Sequence, residues 1–300
     1  MVVSELITQS LKPAIILADS FFRPDNCRTA LLCIEIGRRS LRFCIVRGAD
    51  RYCPWLEDYV LEAHDEESLV AEIGRIITQH PLLSRNDWEE VRVSINETDF
   101  TLVPTTWFRE TYSEQYLKMV LGINDLGGKL VISGRVNQID AYSVFSVPEK
   151  WASLMKQQYG ATRLGFVHVT TAAIAGTLTH NPGNRDKKIV SLSVEDEFVT
   201  LVVSEDRKLV LCNRFHFSGH QELTYLVLFT LNQLNYLPEE ITLLLYGEIT
   251  PFSENYKELS QFIPNLYLGS KPGALRYCEA FDDIPDHRFN TLLNTALVAS

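Results

Sequence analysis

Leu31–Arg47 reads LLCIEIGRRSLRFCIVR, and the fold is decided there. Leu31–Ile36 is apolar except for Glu35, and Leu41–Val46 is almost as apolar; unbroken runs of this kind mark strands buried on both faces. Between them, Gly37–Ser40 forms the turn of a hairpin in the middle of a sheet. Glycine in such a turn allows positive φ or a close approach of the backbone to a ligand. Any chemistry is therefore expected at this turn.

Composition narrows the rest. Three hundred residues with 46% hydrophobic content bury a large core, divided by expectation into two domains. The formal net charge of -10 repels phosphodiester backbones, and the densest basic cluster is only Arg38, Arg39 and Arg42, so no nucleic-acid partner is expected. The six cysteines (27, 33, 44, 53, 212 and 278) show no CxxC spacing. They read as core residues in a reducing cytoplasm, not a disulfide frame or a metal site. No apolar run reaches the ~20 residues of a membrane span, and the amino-terminal stretch lacks a basic leader pattern. A cytoplasmic location follows as the expectation, and the sequon Asn96-Glu97-Thr98 is then idle.

Outward from the hairpin, residues 1–30 read as an irregular lead-in and Tyr59–Glu62 as a third strand. Asp65 caps a helix over Glu66–Gln79, with Leu69, Ile73, Ile76 and Ile77 at helical spacing. Strands are expected at Val91–Asn96, Phe100–Pro104, Lys129–Ser133 and Ala141–Val147, and helices at Ser113–Leu121 and Glu149–Tyr159. Gly165–Val169 then runs into the helix Thr171–Thr179. The stretch NPGNRDKK at Asn181–Lys188 concentrates proline, glycine and charge, the best domain boundary on offer. Beyond it the order repeats: hairpin Ile189–Val194 and Phe198–Val203, strand Lys208–Phe217, helix Gln221–Leu234, strand Ile241–Leu245, helix Glu254–Phe262, strand Asn265–Leu268. One architecture used twice explains this. The expected domains are 1–183, 184–285 and a terminal helix within 286–300, capped by Asp286.

Two β-β-β-α-β-α, ribonuclease H-like halves resemble the actin-like ATPase superfamily of actin, the heat-shock 70 chaperones, sugar kinases and pilus-assembly proteins. IEIGRRSLRFCIV resembles its first phosphate hairpin, IVSLSVEDEFVTLVVSEDRKLVLCNRFHFSGHQEL the second with its following helix start, and ITLLLYGEI the adenosine motif. The whole is also similar to an uncharacterised Bacteroidetes family of actin-like fold. The resemblance implies nucleotide contacts at Glu35, Gly37, Arg38, Arg39, Ser40, Ser193 and Gly247. It also implies departures from the pattern. Glu35 replaces the family's aspartate, which orients magnesium through water; read by itself, Glu35 is a hairpin-end carboxylate paired with a nearby arginine. In the second hairpin, aligning strands puts the aspartate position on Ser191 and the glycine position on Ser193, with Glu195-Asp196-Glu197 at the turn. Three carboxylates there repel polyphosphate. Tyr246 crowds the adenine shelf or replaces it by stacking. In this fold the hairpin turns face each other across a cleft, so Arg38-Arg39 and the acidic turn either attract across it or are solvated separately.

Remaining signals are weaker. Gly122–Lys129 has the look of a P-loop but has the wrong spacing and leads into a strand, so it reads as a turn. His216 and His220 straddle a strand end and a helix start, a poor arrangement for metal. Phe21, Phe22, Trp107, Phe108 and Tyr112 read as lids over the core or, if exposed together, as a partner site. The function expected is a non-catalytic binding or scaffold module that holds a protein partner and uses no cofactor. The alternative is an ATPase or small-molecule kinase, with ATP and magnesium held by Glu35 and the Gly37–Ser40 turn.

Overall fold

The computed structural model describes residues 12–180, 188–195 and 197–298. The boundary expected at 183/184, most of Asn181–Lys188, Asp196 and the first eleven residues lie outside them. Two compact units emerge: the described residues up to Val169 with Ala274–Asp283, and Thr170–Gly273 with Ile284–Val298.

In chain order the elements are β1 Ile15–Ala18, β2 Ala30–Ile36, β3 Ser40–Arg47, β4 Tyr52–Val60, α1 Glu66–Gln79, β5 Glu90–Ile95, β6 Phe100–Pro104, α2 Ser113–Leu121, β7 Lys129–Val136, β8 Ala141–Pro148, α3 Glu149–Tyr159, β9 Arg163–His168 and α4 Val169–Thr179. There follow β10 Lys188–Val194, β11 Phe198–Glu205, β12 Lys208–His216, α5 His220–Gln233, β13 Thr242–Gly247, α6 Glu254–Phe262, β14 Leu266–Leu268, β15 Arg276–Tyr277 and α7 Asn290–Thr295.

The first unit's main sheet runs β1-β4-β3-β2-β5-β9, with β15 also paired to β4; the second unit's runs β12-β11-β10-β13-β14. Each holds the same five-strand pattern. Two antiparallel hairpin pairings lead to a central strand (β2, β10) that pairs in parallel with the strand following the first helix (β5, β13). That is the duplicated ribonuclease H-like plan expected from the sequence. The first unit inserts a small sheet, β6-β8-β7, between β5 and α3. Val103, Leu117, Leu126 and Val144 form its core, so α2 is its covering helix.

Helix limits follow ordinary capping. The Asp65 side chain accepts from the Ser68 N–H at 2.8 Å and the Ser68 hydroxyl from the Asp65 N–H, a reciprocal cap for α1. In the second unit Leu223, Val227 and Leu231 of α5 pack on Val190, Leu192 and Leu243 of the sheet. The third strand departs from expectation. β4 begins at Tyr52, ahead of Pro54, because the β3 register shifts between Ile45 and Arg47 and a proline is tolerated beside such an irregularity. Part of the expected lead-in is β1, an extra edge strand on β4. Asp286 does not cap α7; Phe289 does, and Asp286 pairs with Lys271 at 3.1 Å.

Candidate functional site

The first hairpin turn is closed by the Gly37 N–H donating to the Ser40 carbonyl at 2.9 Å. Asn96 N–H reaches the Ile36 carbonyl, and Leu61 N–H the Arg39 carbonyl, both at 2.9 Å. Gly37 is not among the residues with positive φ, and an added Cβ would lie 3.5 Å from Asn96 Nδ2 and Ser40 Oγ, an ordinary contact. The turn therefore needs no left-handed residue, so of the two uses expected of this glycine, positive φ is ruled out.

Glu35 is fully buried. Register places it opposite Arg42, and Arg42 opposite Asp58, so the three side chains form one row across β2, β3 and β4. Arg42 Nη1 lies 3.4 Å from Glu35 Oε1, and its Nε 3.0 Å from Asp58 Oδ1. Of the turn residues, Arg38 grips Glu97 through two bonds, Nε–Oε1 at 3.0 Å and Nη2–Oε2 at 3.1 Å. Its own side chain remains largely exposed while Glu97 is buried. Ser40 opens β3 opposite Val60.

The second unit repeats the hairpin bond for bond. Glu195 N–H donates to the Phe198 carbonyl at 2.9 Å, Glu248 N–H to Val194 at 2.7 Å, and Phe217 N–H to Glu197 at 3.1 Å. Matching these bonds to those above makes Glu195 the counterpart of Gly37, and Ser193 the counterpart of Glu35. The expected alignment, with Ser191 and Ser193 in those places, is two residues out. A shift of two preserves which face each side chain points to, so periodicity alone does not detect it. Ser193 is buried, opposite Thr200, which lies opposite Arg214. Arg214 donates to Thr200 Oγ1 at 2.7 Å and pairs with Glu195 at 3.1 Å. Each charged turn thus has an ion-pair partner inside its own unit.

Gly247 does require glycine. Its φ is +86°, and an added Cβ would stand 2.2 Å from the Val194 carbonyl oxygen. Its N–H donates to the His287 carbonyl at 2.9 Å. Neighbouring Tyr246 is buried against Gly269, where a Cβ would meet the ring at 2.0 Å. Burial pushes its phenol up to about 12.

Around this hairpin lies a hollow of about 610 Å³, bordered by Glu195, Glu197, Glu248 and Glu254 with His216 and His220. The two histidines therefore do border one space. His220 Nδ1 is 3.2 Å from Glu254, while His216 stands edge-on to Phe198. The first unit has a smaller pocket of about 180 Å³, bordered by Arg38, Glu97, Lys129 and Trp151. The P-loop lookalike is a turn. Gly122, Gly127 and Gly128 all have positive φ, and Lys129 opens a strand and bonds Asp99 at 2.6 Å. Burial raises the Asp99 carboxyl, but the bonds from Lys129 and Ser146 outweigh it and hold it below the usual carboxylate range.

Of the aromatic residues, Phe22 tilts onto Trp55 and Phe108 stacks on Tyr142, centroids 3.9 Å apart. Phe21, Trp107 and Tyr112 are exposed at 83%, 77% and 55%. An arginine partner was expected for Glu35 without its position, and motif reading missed Asp58, Glu97 and Arg214. Arg42 stood within the quoted hairpin, six residues along from Ile36, but only cross-strand register shows it facing Glu35. Among the described residues no group of three or more His, Cys, Asp or Glu is placed to hold a metal, and no helix is long and apolar enough to cross a membrane. All six cysteines are free thiols; five are buried and Cys212 is half-buried.

A family model described as "Protein of unknown function (DUF3822)" matches residues 19–266. A search of curated proteins finds no match. Among solved structures, the chain is similar to a Bacteroides thetaiotaomicron protein of actin-like ATPase fold and unknown function. Identity is 16%, covering 92% of this chain and 99% of that one, with a TM-score of 0.76. It is also similar to the PilM-PilN type IV pilus biogenesis complex, at 15% identity over 90% of this chain and 98% of that one, with a TM-score of 0.61. Both likenesses give the fold: an actin-like ATPase fold.

Proposed function

We propose a non-catalytic role for this chain, which belongs to the DUF3822 family of unknown function and has the actin-like ATPase fold: it is a binding module that holds a protein partner and neither hydrolyses nor requires ATP. The observation that carries the reading is the buried row Glu35–Arg42–Asp58. A carboxylate that orients magnesium has to offer its charge to the metal, and here Arg42 already draws on that of Glu35. Two further features support it. Ser193 has no carboxylate, and Glu195 sets a negative charge where the first hairpin has glycine, in a hollow bordered by three more glutamates. A triphosphate would meet repulsion there. The likeness to a structure of two pilus-biogenesis proteins in complex supports the partner half of the reading by fold analogy.

The test is thermal unfolding of the full chain with and without millimolar magnesium and ATP. A ligand at a hundred times its Kd stabilises by about 2.7 kcal/mol; no such rise in Tm is expected. A rise abolished by Gly37→Val, accompanied by phosphate release, would replace the reading with an ATPase or kinase.

A further inference from the structure

We propose that the small pocket of the first unit binds an uncharged ligand built on a single six-membered ring that carries a carbonyl oxygen, with benzamide as its simplest probe. Such a site goes beyond the holding of a protein partner and does not depend on it.

The pocket lies where the start of α1, the start of β7 and the β8–α3 corner meet, all within one unit. The Glu149 N–H donates to the Gly128 carbonyl at 3.2 Å and ties that corner to the strand start. Of the bordering residues, Leu69, Pro148 and Trp151 are buried and apolar, whereas Arg38, Asp65 and Glu66 are exposed. The apolar end is therefore the inner one, and the charges stand at the mouth. A space of about 180 Å³ is below the roughly 300 Å³ at which drug-sized sites begin. An apolar cavity of about 150 Å³ holds benzene, so one ring with one small substituent fills this pocket.

Polar groups select the substituent. Trp151 is 2% exposed, and its indole Nε1 is buried with no acceptor. Folded proteins pair nearly all such donors, so one left over on a pocket wall marks the place of an acceptor. Lys129 is a second donor there: its Nζ bonds Asp99 at 2.6 Å, and an ammonium has three hydrogens to give. Arg38 is offset by Glu97 and Lys129 by Asp99, so Asp65 and Glu66 leave the lining with surplus negative charge. That surplus repels an anion, while a cation meets the charges of Arg38 and Lys129. An uncharged carbonyl oxygen takes its hydrogen bond at neither cost.

The test is magnetic resonance of the ¹⁵N-labelled full chain, whose four tryptophans give separate indole N–H signals, titrated with benzamide, benzoate, benzylamine and toluene. Benzamide is expected to shift the Trp151 signal, identified by its loss in Trp151→Phe, with a Kd of about 1 mM, and to leave that of exposed Trp107 in place. Trp151→Phe keeps a ring and removes the donor, so benzamide should bind it about tenfold more weakly, read at the Leu69 amide, while toluene is unaffected. Ala63→Leu adds bulk at the pocket border and should abolish benzamide binding, which keeps the test open if Trp151→Phe does not fold. A Trp151 indole unmoved at about ten times the expected Kd, or benzoate, benzylamine or toluene bound as tightly as benzamide, would overturn the assignment. So would unchanged benzamide affinity in Ala63→Leu.

Discussion

Replacing Arg42 by methionine keeps most of the side-chain volume and removes the charge between two buried carboxylates. Glu35 is 0% exposed and Asp58 3%, so neither can recover its hydration without opening the sheet. At the observed 3.4 and 3.0 Å, and an effective dielectric of about 20, each attraction is worth about 5 kcal/mol before desolvation is subtracted. The net cost of breaking a buried pair by deleting one partner is about 3–5 kcal/mol. Arg42→Met is therefore expected to lose about that much, read as a fall in the urea midpoint at unchanged slope. The triple change Glu35→Leu, Arg42→Met and Asp58→Leu, which removes the whole row, should recover most of the loss. A loss below about 1 kcal/mol for Arg42→Met would show that the row is solvated and that Glu35 remains available to a cation, which removes the main support for the non-catalytic reading.

Other expectations concern neighbouring features. Gly247→Ala should destabilise by at least about 1–3 kcal/mol, since it forces an alanine into left-handed backbone and against the Val194 carbonyl; Gly37→Ala should be nearly neutral, and differential melting compares them. Gly269→Ala should lower Tm in the otherwise unchanged chain but add little further loss in a Tyr246→Ala background, because the Tyr246 ring occupies that space. Burial raises the carboxyl of Glu57, but bonds from His80, Tyr59 and Trp55 outweigh it and hold it below its ordinary value of 4.5. Its contribution is complete above that value and is lost as pH falls through the lower folded value. Glu57→Gln should accordingly flatten the acid limb of stability against pH in urea titrations below pH 5, and an unchanged slope would exclude Glu57 as its source.

Much of the architecture was legible in the linear chain. The apolar runs at Leu31–Ile36 and Ile189–Val194 have to be central strands because both their faces are buried, and the repeated order of elements around them announced the duplication. Capping by Asp65 is local, and local spacing survives in sequence. Lone glycines were less readable. Gly37 and Gly247 look alike as letters, yet only Gly247 has positive φ and a carbonyl in the path of a side chain. That a nearby arginine pairs with Glu35 was readable, but not which one, and the remaining charge pairs were not. Glu35 meets Arg42 and Asp58, Arg38 meets Glu97, and Glu195 meets Arg214, because strand register and loop placement bring together residues 7 to 59 positions apart. Which residue of the second hairpin matches which of the first was decided by backbone hydrogen bonds, since a slide of two residues leaves every side chain on its original face. The sequence by itself determined the strands and their duplication, both set by short-range periodicity. Only the tertiary structure decided which charges neutralise one another, because a Coulomb partner is chosen by distance in space.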